Sequence, residues 1–323
     1  MTGRIHENTN AVAAAALAFC ATLALCAGTA LCEDGGKRSP SLEATGMAFE
    51  NARLLPHDAG IEALREAAAS AAEILETGLP GEKESAAWFL SAQIRFALGR
   101  YEEAAGDYER AGDKDREKIY RDDAAAGRIM AMEAAGRDGE AAKAWTKWLD
   151  RYDDSPIVPE AMLAFAWNAL RRGDTAAAAD RLDEMGSRYP WMAEDPRALL
   201  AHALLDYTGG DHAGALGILT DLEDSPEVVY LRALCRKAGG ETLKAAAKFQ
   251  EVAERWPHSS LRDPAMIAKA DIFLHAGAYT SAAEEMEKVA RSARREDIRR
   301  EAFLRRAVAV YLEGDIELSL IHI

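Results

Sequence analysis

Large apolar, small apolar and polar positions recur along this chain at fixed distances from a series of glycines. The glycines stand at 99, 136, 173, 210, 240, 277 and 314, in steps of 37 with one step of 30 from Gly210 to Gly240. Five residues after each of the first six comes alanine: Ala104, Ala141, Ala178, Ala215, Ala245 and Ala282. Nine after the same glycines comes a large apolar residue: Tyr108, Trp145, Leu182, Leu219, Phe249 and Met286. Upstream, position −7 is Ala92, Ile129, Ala166, Ala203, Ala233, Ala270 and Ala307, and position −11 is mostly large, from Trp88 to Phe303. Alanine six times in one register is no accident of composition. It is the mark of a helical repeat.

Residue size explains the pattern. Alanine on both helices of a pair lets their backbones approach closely, and the large side chains fill the space on either side. One pair cannot bury both of its faces, so pairs stack on one another. At Arg171–Pro190 the unit is complete: a helix ends at Gly173, Asp174 starts the next, and Pro190 stops it. The reading predicts an all-α, right-handed α-solenoid of antiparallel helix pairs with a period of about 37. Pairs are expected at about 82–98 with 100–112, 117–135 with 137–152, 156–172 with 174–189, 196–208 with 211–223, 226–238 with 241–256, and 263–276 with 278–293. A further first helix runs from about 296 to 312. Residues 41–80 read as a degenerate capping pair, with Arg53 where an alanine is expected. The repeat array proper covers 81–317.

The combination of glycine, alanine at +5, a large apolar residue at +9 and a proline at +17 (Pro190 and Pro257) resembles the tetratricopeptide repeat. The three extra residues per unit fall in corners such as 151–162, 188–199 and 255–266. Those corners are similar to tetratricopeptide proteins of the bacterial envelope, including the periplasmic partner of the Tol–Pal system and the barrel-assembly lipoprotein. In that register, positions −10, −6 and −3 of the first helices face a concave groove. They hold Phe89, Phe96, Trp167, Leu170, Tyr207, Tyr230 and Tyr311. The resemblance implies a groove for a peptide or protein ligand. The other reading of these residues is that several pack between repeats.

The two chain ends read differently from the array. Residues 1–10 are polar with one arginine, Ala11–Leu25 is an uncharged apolar run, and CAGTALC follows. This is the shape of a secretory signal over 1–32, cleaved after Ala30 or Cys32, followed by a linker over 33–40. An uncleaved membrane anchor is an alternative, because the uncharged run extends to Cys32. A lipid anchor is another, although Cys26 and Cys32 both follow leucine rather than a small residue. The expected location is outside the cytoplasm, in the periplasm. At the other end, Leu318–Ile323 breaks the repeat and resembles translated sequencing-adapter sequence, so the natural chain is expected to continue past about Glu317.

Composition and charge narrow the chemistry. The net charge of −15 argues against a nucleic-acid partner, since phosphate neutralisation needs clustered lysine and arginine. One local exception is the corner at 291–306, where Arg294, Arg295, Arg299 and Arg300 form a candidate anionic docking patch; a solvated corner is the plainer reading. After loss of the leader Cys235 stands alone, which excludes a disulfide framework. The histidines are scattered, and no H-E-x-x-H, C-x-x-C, G-x-S-x-G or phosphate-binding glycine loop occurs. His202 and Cys235 are a weak candidate pair lacking a third partner. The chain therefore reads as a non-enzyme with no cofactor, metal or evident small-molecule substrate. Its expected partners are proteins or peptides, and its expected role is an exported interaction scaffold. The alternative is a regulatory or docking arm of a larger protein.

Overall fold

The computed structural model describes residues 41–79, 81–115, 118–293 and 295–314. The expected leader (1–32), linker (33–40) and tail (318–323) lie outside the described residues, as does Arg294. The described residues form fifteen α-helices and one 3-10 turn, with no strand. We number the helices α1 Leu42–Leu54, α2 His57–Glu76, α3 Gly81–Ala97, α4 Tyr101–Lys114, α5 Arg121–Ala134, α6 Asp138–Arg151, α7 Val158–Arg171 and α8 Thr175–Arg188. After the 3-10 turn Pro190–Glu194 come α9 Pro196–Gly209, α10 His212–Thr220, α11 Pro226–Ala238, α12 Thr242–Arg255, α13 Arg262–His275, α14 Tyr279–Ser292 and α15 Glu296–Glu313. They divide into two compact units that meet in sequence between Tyr189 and Pro190.

Within each unit consecutive helices pair, and the corner glycines explain the tightness of the pairing. Every repeat glycine has positive φ, from 73° at Gly173 to 102° at Gly314, where a residue with a Cβ is strained. At Gly173 the glycine N–H donates to Leu170 O (3.0 Å) and Asp174 N–H donates to Ala169 O (2.9 Å). That pair of bonds satisfies carbonyls that the helix end leaves free. The same pair closes the corners at Gly99, Gly136, Gly210, Gly240 and Gly277. Asp174 and Asp211 then cap the following helices, accepting from Ala177 N and Gly214 N.

The alanine register appears as burial. All six alanines at +5 are buried, as are all seven residues at −7 and all six large residues at +9. One close approach falls outside that register: Gly127 lies against the Tyr108 ring, which stands 2.6 Å from where a Cβ would be. In the second unit the short step between Gly210 and Gly240 leaves α10 only nine residues long. Its exposed carbonyl end is closed by Arg232 of α11, which donates to Leu219 O and Leu222 O and pairs with Asp224.

Across the inner positions, α15 differs from the helices before it in the same unit. Positions −11, −10 and −6 are largely buried in α9, α11 and α13. On α15 the same positions, Phe303, Leu304 and Val308, are exposed, as are Tyr311 and Leu312.

Candidate protein-binding surface

The seven groove candidates do not form one open surface. Trp167 and Tyr230 are fully buried, and Phe89, Leu170 and Tyr207 nearly so. The expectation that these five face a ligand is corrected: their rings and side chains fill the interior of the first-helix layer. Phe89 packs edge-on to Tyr108 (5.5 Å between ring centres) and against Tyr120 (5.4 Å). Tyr230 packs edge-on to Phe249 at 5.3 Å, and burial lifts its phenol far above the usual range. Burial also pushes the Tyr207 phenol up to about 12. The Trp167 indole N–H has no hydrogen-bond partner among the described residues, so the ring serves packing rather than polar recognition. Of the seven, Phe96 is half-buried, against Tyr101 at 5.2 Å, and Tyr311 is 58% exposed on the open face of α15.

Buried ion pairs tie successive first helices together. In the first unit, Glu133 of α5 is 3% exposed and lies 3.2 Å from Arg171 of α7. Trp145 Nε1 donates to the same carboxylate (2.9 Å), and Arg171 also holds Asp138 at 3.0 Å. Burial raises the Glu133 carboxyl to about 7 against the pull of Arg171 and Trp145. In the second unit, Asp271 of α13 is 6% exposed and pairs with Arg305 of α15 at 2.7 Å. A third buried acid, Asp107, accepts from Ser91 (2.7 Å) and pairs with Arg95 (2.9 Å) within α3 and α4. Sequence reasoning missed these acids. Their only signal was an acid at an inner position, −3 for Glu133 and −6 for Asp271, where other repeats carry apolar residues.

The arginine corner is largely neutralised by its own acids. Arg295 pairs with Asp297 (2.5 Å), Arg299 and Arg300 both with Glu296 (3.1 and 3.2 Å), and Arg306 with Glu287 (3.3 Å). Arg291 also pairs with Glu287. An anionic ligand there would have to displace these contacts. The candidate pair His202 and Cys235 likewise offers no reactive thiol: Cys235 is fully buried, and burial pushes its thiol up to about 12. Among the described residues no group of three or more His, Cys, Asp or Glu is placed to hold a metal ion.

Comparison with known proteins agrees with the repeat reading. Residues 227–259, which span α11 and α12, match the family model described as tetratricopeptide repeat. A tetratricopeptide repeat protein from Parabacteroides merdae ATCC 43184 is similar in structure, with a TM-score of 0.53 and 15% identity. That match covers 75% of this chain and 90% of the other. Yeast Tom70 aligns with a TM-score of 0.59 and 15% identity over 96% of this chain and 72% of its own. A chain of the APC/C Cut9–Hcn1 heterotetramer gives 0.59 at 12% identity, covering 87% of this chain and 51% of that one. No curated protein sequence matches the chain. The fold is that of the tetratricopeptide α-solenoids.

Proposed function

We propose that this chain is an exported protein–protein interaction scaffold that holds a peptide or protein on the first-helix side of a tetratricopeptide-like array. The observation that carries the reading is the repeat itself: helix pairs in a fixed alanine register, matched at 227–259 by the tetratricopeptide model. Such arrays present extended surfaces for binding. With five of the seven inner side chains buried, the contact surface narrows to what remains accessible. That is the neighbourhood of Phe96 in the first unit and, separately, the exposed face of α15 around Tyr311 in the second.

The test is direct. The full chain, carrying a photo-crosslinking residue at position 96 or 311, should trap a partner from an envelope extract of the source cells, and the purified pair should bind saturably. Absence of any saturable partner would overturn the scaffold reading. Export rests on the leader pattern and has its own test. Residues 1–40 fused to a reporter active only outside the cytoplasm should deliver it, whereas activity confined to the cytoplasm would reject export.

A further inference from the structure

At the start of the first unit, the end of α1, the first turns of α2 and the corner between α3 and α4 surround an open cavity of about 450 Å³. Its floor is aliphatic, with Leu55, Ile61 and Leu98 among the residues that line it, and its rim carries Arg53, Arg65 and Arg100. Among the described residues no carboxylate lines it. Arg53 and Arg65 each hold an acid three residues away, Glu50 at 3.2 Å and Glu62 at 3.1 Å. Each pair lies within one helix, and as at the arginine corner an anionic ligand would have to displace it. Arg100 has no carboxylate partner among the described residues. Arg100 is therefore the guanidinium at this cavity that an acidic ligand would meet without an acid to displace.

We propose that this cavity is a docking site for an acidic peptide segment carrying a bulky apolar side chain flanked by carboxylates. The proposal rests on the scaffold reading and adds a place and a ligand chemistry to it. A cavity of this volume is the size of ordinary ligand pockets and takes one or two large side chains. Guanidinium groups accept a carboxylate through two parallel N–H donors, which a lysine cannot reproduce. The apolar floor supplies burial, and the rim selects for acid over base.

The probe is a fluorescein-labelled hexapeptide, acetyl-Glu-Asp-Leu-Phe-Asp-Glu-amide, titrated with the full chain by fluorescence anisotropy. Two control peptides replace Leu-Phe by Ser-Ser, or all four acids by lysine. Saturable binding of the probe is expected, weakened severalfold between about 0.05 and 0.3 M salt as screening increases. The R65E/R100E variant should bind it at least about tenfold more weakly, because reversal places like charges together. L55D, at an exposed floor position, should do the same. All three substitutions lie at exposed positions, so the helical melting curve should hold and serves as the folding control. Equal affinity for the variants, equal affinity for the lysine peptide, or no saturable binding by the wild type would overturn the proposal. Binding of anionic lipid vesicles without binding of the peptide would overturn it as well. The two readings fail separately. If the chain ignores the peptide yet still captures its partner, the cavity proposal falls alone. If it binds the peptide and captures no partner, the scaffold reading falls alone.

Discussion

Replacing Glu133 by glutamine should make the protein less sensitive to alkaline conditions. Glu133 sits 3.2 Å from Arg171 at ion-pair distance, but its Oε2 is not aligned with any hydrogen-bond donor, and the carboxylate is almost wholly removed from water. Burial therefore outweighs the attraction, and the carboxyl moves from its ordinary 4.5 up to about 7. The sign follows from linkage. A carboxyl whose folded value is raised binds a proton more tightly in the folded state. Its contribution is fully present below its ordinary value near 4.5 and is lost as pH rises through 7. Each tenfold change in proton affinity corresponds to about 1.4 kcal/mol, so the full loss amounts to about 3 kcal/mol. Glutamine keeps an acceptor for the Trp145 N–H and removes only the charge, while Arg171 retains Asp138 at 3.0 Å. Urea unfolding followed by tryptophan fluorescence at pH 5, 6.5, 8 and 9 compares the two proteins. Near pH 5 they should agree within about 1 kcal/mol, and at pH 8–9 the glutamine variant should be the more stable by about 2–3 kcal/mol. Subtracting the curves cancels other titrations, including that of Asp123, which burial and Asp122 raise to about 6. If the wild type instead gains stability over the variant as pH rises, the ion pair outweighs desolvation and the reasoning fails.

Two further outcomes follow from packing. Phe249→Ala removes a fully buried ring packed edge-on to Tyr230 and should cost about 3–5 kcal/mol by urea denaturation, whereas Ala270→Leu forces a large side chain into a closed helix–helix contact and should cost about 1–3 kcal/mol. Trp167→Ala should likewise destabilise by about 3–5 kcal/mol; a variant that keeps its wild-type melting curve would show that the ring is not part of the interior.

Much of the fold was legible because it depends on size and backbone conformation at fixed spacing. Ala178 and Leu182 are buried because a helix of 3.6 residues per turn puts them on one face, and Gly173 turns the chain because only glycine takes that φ without strain. The candidate surface was less legible, because the family register tells which way a residue points and not what covers it. Trp167 and Tyr230 do sit at inner positions, yet the layer of first helices closes over them. Glu133 and Asp271 were invisible for a related reason. A charged residue reads as solvent-facing until its partner is located, and Arg171 and Arg305 lie 38 and 34 residues farther along the chain. Their meeting depends on the stacking of repeats, which no local window contains.

The identical left-handed corners also make length a quantised property of this chain. From Gly99 to Gly136 to Gly173 each step leaves the backbone at the same kind of turn, closed by the same two hydrogen bonds and entering the next helix at the same point of the register. Excising residues 100–136 would join Gly99 directly to Arg137 and preserve that register, whereas removing a number of residues between whole steps would rotate every later alanine off its partner helix. Gene duplication and unequal crossing-over can therefore lengthen or shorten such a sequence only in whole units. The single 30-residue step is the exception that needed its own device, the guanidinium of Arg232 closing the end of a truncated helix.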